Sequence, residues 1–312
     1  MKLKEIYKKA VEIGIKNDPR GLDFVKKELE KRKEEFEKIP EPEKKFFDKE
    51  SLRNPYGDTR ILFGTGDEEI KRILTGVDID TGELMLAKNL NADLVIAHHP
   101  RGIGLLNLYN VMKIQEEINH IWGVPINIVE KLMGKRISEV ERSVHASNAY
   151  RAVDSAKLLN LPFMCCHTAA DNCVSTFLTN LIEKEKPEYI KDLMDLLLTV
   201  PEYEEAEKMG FGLKIYAGKK ESKAGKIVVD MTGGTEGAKE MMKRLSDAGI
   251  GTIVGMHFSE EHRKEAEKNY INLVVASHMA SDSIGMNIIL DEIEKNGVEI
   301  IPFSGLIRIR RY

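Results

Sequence analysis

The sequence predicts an α/β protein of two lobes, with sheets flanked by helices and an added helical segment at the N-terminus. Seven short apolar runs carry the prediction first: ILTGVDI (73–79), ADLVIA (92–97), LPFMCC (161–166), KIVVDM (226–231), GTIVGM (251–256), INLVVAS (271–277) and VEIIPF (298–303). They lack polar alternation, as strands buried on both faces do. Helical stretches of ten or more residues separate them, the spacing that crossovers between parallel strands need. A length of 312 residues allows one two-lobed domain or two modest ones.

Taken in order, residues 3–46 read as a helical pair. Leu22, Val25 and Leu29 recur at helical spacing among dense charges, and Gly21, Pro40 and Pro42 punctuate them. A water-facing outer pair is expected there. The apolar runs begin after Gly64, and a helical stretch over 180–210, broken at Pro201, leads toward a second lobe. The domain expectation is a helical extension over 1–60, one α/β lobe from 61–176 plus 266–312, and a second α/β lobe over 177–265. No internal repeat is evident in the sequence.

Formal net charge is −4 with 31% charged residues of both signs, so no long-range field favours nucleic acid. No apolar run of about 18 residues suggests a membrane span. The start MKLKEIYKKA lacks the apolar core of a secretory signal. A cytoplasmic protein is expected. Cys165, Cys166 and Cys173 form an odd set that suits a reducing compartment, and the first two read as small apolar residues.

Three strand ends carry the chemistry. ADLVIA runs into His98-His99, LPFMCC into His167 with Asp171 four residues on, and INLVVAS into His278 with Asp282 four residues on. If each tail turns into a helix, residues four apart share a face, so an imidazole and a carboxylate can converge. Strand carboxyl ends are where open α/β sheets collect ligands. Four imidazoles and two carboxylates exceed what one tetrahedral ion takes, so two divalent ions per chain are expected. The N/O donor set suits zinc, iron, manganese, cobalt or nickel and does not select one.

At these residues the chain resembles the dinuclear-metal family of GTP cyclohydrolase I type 2 homologues, also called NGG-one-interacting factor three-like proteins. The family's HHP element is similar to ADLVIAHHP, its HTNLD element to His167-Thr168-Ala169-Ala170-Asp171, and its late GHxxxE element to the stretch Ser277 to Asp282. TGVDID and MTGGTEG fall in the family's order. The resemblance covers roughly 70–312 and implies a two-lobed α/β fold, the six named side chains as metal ligands with the last carboxylate bridging, and a homo-oligomer such as a hexamer. Asp282 stands where the family has Glu, the link over 111–148 with Trp122 is expanded, and the first 60 residues differ from the family's start.

Other features carry alternatives. MTGGTEG precedes AKEMMKRL and reads as a plain strand-to-helix turn or as an anion cradle. His257, Glu260, Glu261 and His262 read as cleft residues or as a polar helix start, and Glu260, Glu261 and His262 are the candidates for proton transfer. His120 and His145 read as helix-surface residues, and RIRRY as an acid-binding tail or an edge-strand solubiliser. The functional expectation is a metal-dependent hydrolase acting on a small polar molecule, possibly a nucleotide such as GTP, with no nucleic-acid or membrane partner. The alternatives are a non-catalytic metal-binding or regulatory protein, or an interaction module stabilised by its metals.

Overall fold

The computed structural model describes residues 1–312. Nine strands form two sheets: β1 (Arg60–Phe63), β2 (Arg72–Gly76), β3 (Leu94–Ala97), β4 (Phe163–Cys165), β5 (Lys214–Ala217), β6 (Lys226–Asp230), β7 (Ile250–Gly255), β8 (Asn272–Val275) and β9 (Glu299–Pro302). Each of the seven apolar runs overlaps one of these strands. β1 and β5 were not among them: RILF and KIYA are short, charged at their first residue, and each runs antiparallel along a sheet edge.

The first sheet runs β1-β4-β3-β2-β9 and the second β5-β8-β7-β6. In each, the first strand pairs antiparallel with the fourth, and the fourth, third and second are parallel in that order. The fold is therefore built on the same four-strand topology twice, with β9 added parallel to β2. The register makes the correspondence specific: Ala97 lies between Gly76 and Cys165, and Gly255 lies between Asp230 and Val275. This repeat was not visible in the sequence, because the two halves share topology and alignment at strand ends while their helices and loops differ in length.

β8 belongs to the second sheet, so a lobe boundary at 266 cuts through paired strands. The helix that follows it, His278–Glu294, returns the chain to the first sheet, where β9 completes the edge. It packs along its counterpart, Thr168–Glu185, which follows β4. At their crossing an added Cβ on Gly285 would lie 2.3 Å from the Ala170 carbonyl oxygen, so glycine permits the close approach. The two helices place one half's strand ends beside the other's.

The N-terminal segment divides. Helix Leu3–Lys16 buries Leu3, Ile6, Ala10 and Val11 in the core beside Ile73, Ile96 and Ala169, correcting the expectation of an outer helix. Helix Leu22–Lys38 does lie at the surface, with Val25 alone buried. Helix Ile126–His145 packs Val129 and Met133 in one core with Met241, Leu245 and Ile253 of the second half. No helix is long and apolar enough to cross a membrane. All three cysteines are free and buried.

Candidate metal centre

Each strand end delivers its ligand-type residues in a different way. β3 leads straight into His98 and His99, whose N–H groups bond the carbonyls of Gly76 and Val77; the chain bends there, and the two rings lie 5.3 Å apart between centroids. His167 caps helix Thr168–Glu185, and His278 opens helix His278–Glu294, which sets Asp171 and Asp282 one turn inside each helix. Asp171 lies in the first turn of its helix, where the helix dipole favours a carboxylate.

The six residues converge. His98 Nε2 lies 3.4 Å from Asp171 Oδ1 and 3.3 Å from Asp282 Oδ1, and both His99 Nε2 and His278 Nε2 lie 3.6 Å from Asp282 Oδ2. His98, His99 and His167 form one group whose donor atoms lie within 4.8 Å of one another. His99, His278 and Asp282 form a second, and His98, Asp171 and Asp282 a third. Asp282, shared by two groups, sits at the middle and is fully buried.

The opposite ring nitrogens are fixed. His98 Nδ1 donates to the Cys166 carbonyl at 3.0 Å, His99 Nδ1 to Asp78 Oδ1 at 2.9 Å and His167 Nδ1 to Asp58 Oδ2 at 2.8 Å. A carbonyl or carboxylate only accepts, so Nδ1 carries a hydrogen and Nε2 is the nitrogen each ring turns to the centre. Thr168 Oγ1 donates to the same Asp58 oxygen at 2.6 Å. Sequence reading missed Asp58, which lies in the irregular stretch NPYGDTR. Asp78 lay within TGVDID, but its partner was not legible.

Four atoms at the middle have no hydrogen-bond partner although they are buried: His98 Nε2, Asp171 Oδ1, Asp282 Oδ1 and Asp282 Oδ2. Such groups are costly to leave unpaired, and native proteins rarely gather them without a cation or water between. These donors fit divalent metal ions. Electrostatics agrees: burial opposes charge on His167, but Asp171 and Asp58 outweigh it and raise the imidazole to about 9. Burial raises the Asp171 carboxyl to about 6. Burial also works against the Asp282 carboxylate, but His98 overcomes it and holds the group at about 2. Burial lowers His278 to about 4.

A cavity of about 300 Å³ opens on His99, His167, Asp171 and His278 and extends between the halves toward Gln115, Asp230 and Met241. The candidates for proton transfer divide here. Glu260 and Glu261 are exposed and do not line the cavity. Glu260 pairs instead with Arg263 at 2.8 Å, as i,i+3 neighbours on a helix do. His262 does line it, but Nδ1 meets Ser259 Oγ at 2.7 Å and Nε2 meets the Gly237 carbonyl at 3.1 Å, leaving no ring nitrogen free. His257 is the cavity imidazole nearest the centre, 4.8 Å from His278 between ring centroids. Its Nδ1 bonds Glu236 Oε1 at 3.0 Å. By register His257 stands two residues beyond Gly255 as His99 stands two beyond Ala97, so each half supplies a carboxylate-held histidine at this position.

In the turn MTGGTEG, Gln115 Nε2 donates to the Gly233 and Thr235 carbonyls, and Arg136 Nε to that of Glu236. The main-chain N–H groups of 232–237 reach no protein acceptor. The C-terminal arginines bind acidic groups of the chain itself: Arg308 pairs with Asp291, and Arg311 with buried Glu202 at 2.6 Å.

Two mainly parallel sheets related by a repeated topology, with a buried histidine and aspartate cluster where the halves meet, define an α/β protein with a candidate metal centre. The family model for Duf34/NIF3 (NGG1p interacting factor 3) matches residues 49–121, which contain His98, His99 and both Asp58 and Asp78. A NIF3 superfamily protein from Sphaerobacter thermophilus is similar over 82% of this chain and 94% of its own, at 28% identity and a TM-score of 0.73. Over these residues and in its fold the chain is similar to the NIF3 family. Reduced HcgD from Methanocaldococcus jannaschii shares the fold, at 13% identity and a TM-score of 0.53 over 83% of this chain and 93% of its own. No curated protein matches the chain.

Proposed function

We propose that the protein binds two divalent metal ions and acts as a metal-dependent hydrolase on a small polar molecule, with nucleotides such as GTP among the first to be tried. One observation carries the reading: four unpartnered, buried polar atoms from His98, Asp171 and Asp282 lie among the Nε2-directed rings of three further histidines. His98, His99, His167, Asp171, His278 and Asp282 would hold the ions, with Asp282 between them. When bound, such ions supply Lewis acidity and a nucleophile derived from water at neutral pH. Asp58 and Asp78 orient His167 and His99. His257, held by Glu236, holds a proton beside the cavity.

The alternative of a protein that only stores or senses metal is less well supported, because the centre opens on a cavity large enough for a small substrate. Homo-oligomeric assembly belongs to the same reading. The experiment is hydrolysis of a panel of nucleotides and phosphoesters by the metal-loaded chain and by Asp282→Asn. Turnover that vanishes in the variant and after chelation supports the proposal, and metal-loaded protein without turnover across the panel leaves metal binding alone.

A further inference from the structure

The repeated topology makes one position stand out. In the first half, the strand residue paired with Ala97 is Gly76, and a Cβ there would lie 2.7 Å from the Phe303 carbonyl oxygen, so that half is filled. In the second half the corresponding residue is Asp230, and its carboxylate lines the cavity. It makes no hydrogen bond or ion pair, and burial pushes it up to about 6. A second, independent group is in the same state. Asn119 lines the cavity, is 6% exposed, and leaves Oδ1 without a partner while Nδ2 donates to the Gln115 carbonyl at 2.8 Å.

Three polar side chains beside them are already engaged. Gln115 Nε2 is held by Gly233 and Thr235, Thr232 Oγ1 by Asn172 Oδ1 at 2.6 Å, and both nitrogens of His262 by Ser259 and Gly237. The Asp230 carboxylate and Asn119 Oδ1 are free acceptors, so a group that satisfies them must bring donor hydrogens, as an amino or amidine N–H edge does. The unengaged main-chain N–H groups of the turn suit an acceptor beside them on the same molecule. The rest of the wall is apolar, with Met231, Met241 and Met256, which suits the faces of a flat ring.

We propose that Asp230 and Asn119 form a recognition subsite for a small planar heterocycle bearing an amino or amidine N–H edge, and that this ring belongs to the molecule presented to the metal centre. The inference rests on the metal reading only for the second clause. At about 300 Å³ the cavity has room for one such ring.

The test is calorimetric binding of two matched probes, 2-aminopyrimidin-4-one and pyrimidin-4-one, to the full chain reconstituted with zinc, and to Asp230→Asn. The amino ring is expected to bind about tenfold more tightly, the scale of one hydrogen bond to a charged acceptor. In the variant that preference falls below about threefold while metal content stays unchanged. Equal binding of the two rings, binding of neither, or a preference that survives in the variant would overturn the subsite. Loss of metal in Asp230→Asn would also overturn it, by making the residue part of the centre. Wild-type protein that holds no metal yet prefers the amino ring keeps the subsite and removes the metal reading, so the two fail separately.

Discussion

At the scale of residues, the centre depends on groups that touch no ligand position themselves. Asp58 and Asp78 each accept a histidine Nδ1 hydrogen and so fix which nitrogen faces inward. Asp58→Asn and Asp78→Asn are expected to weaken metal binding about 10–100-fold with little change in fold, measured by competition with a chromophoric chelator. Protonation gives a second prediction. His167 is raised to about 9 in the metal-free chain, so its contribution to stability is complete below about 6.5 and is lost as pH rises through 9. The melting temperature of chelated protein should fall across that window. Metal-loaded protein should not follow it, because ions replace the proton. The ligand-type residues were legible because each ends an unbroken apolar run. Their carboxylate partners were not, since Asp58 lies 109 positions from His167 in a loop without periodicity.

At the scale of elements, the two long helices that carry Asp171 and Asp282 meet through Gly285 and Ala170. Gly285→Ala forces backbone to move, and overpacking of this kind costs about 1–3 kcal/mol. The expected result is a lower melting temperature together with weaker metal uptake, since separating the helices separates the carboxylates; a stability loss with unchanged uptake would show that the centre tolerates the shift. All seven apolar runs were legible as strands because burial on both faces leaves a continuous signal. The edge strands β1 and β5 were not, being short and partly exposed. Glu260 and Glu261 were misplaced because sequence distance from β7 says nothing of which helix face turns to the cavity. The helical turn directs them to solvent and His262 inward.

At the scale of the whole molecule, two copies of one topology enclose the centre, and the C-terminal tail closes the assembly. Arg311 reaches Glu202, which is fully buried and otherwise held by Asn287. Arg311→Met leaves that carboxylate without a cation and is expected to cost about 3 kcal/mol, toward the low end for a broken buried pair because Arg311 is itself 24% exposed. Denaturant unfolding of the variant measures it. The tail's role was illegible because RIRRY carries no sign of its partners, which lie 14 to 109 positions away. The duplication was hidden for a related reason: strand order and register repeat, whereas His167 precedes its helix and His278 begins its own.

The most direct test of the central claim is elemental analysis of untagged protein, comparing wild type with His99→Ala and His278→Ala after reconstitution with zinc, iron, manganese or cobalt. Two equivalents per chain in the wild type, reduced in both variants, are predicted, because residues from both halves of the fold would then hold one centre. Less than about half an equivalent with every metal, unchanged by either substitution, would contradict the metal centre and the function proposed from it.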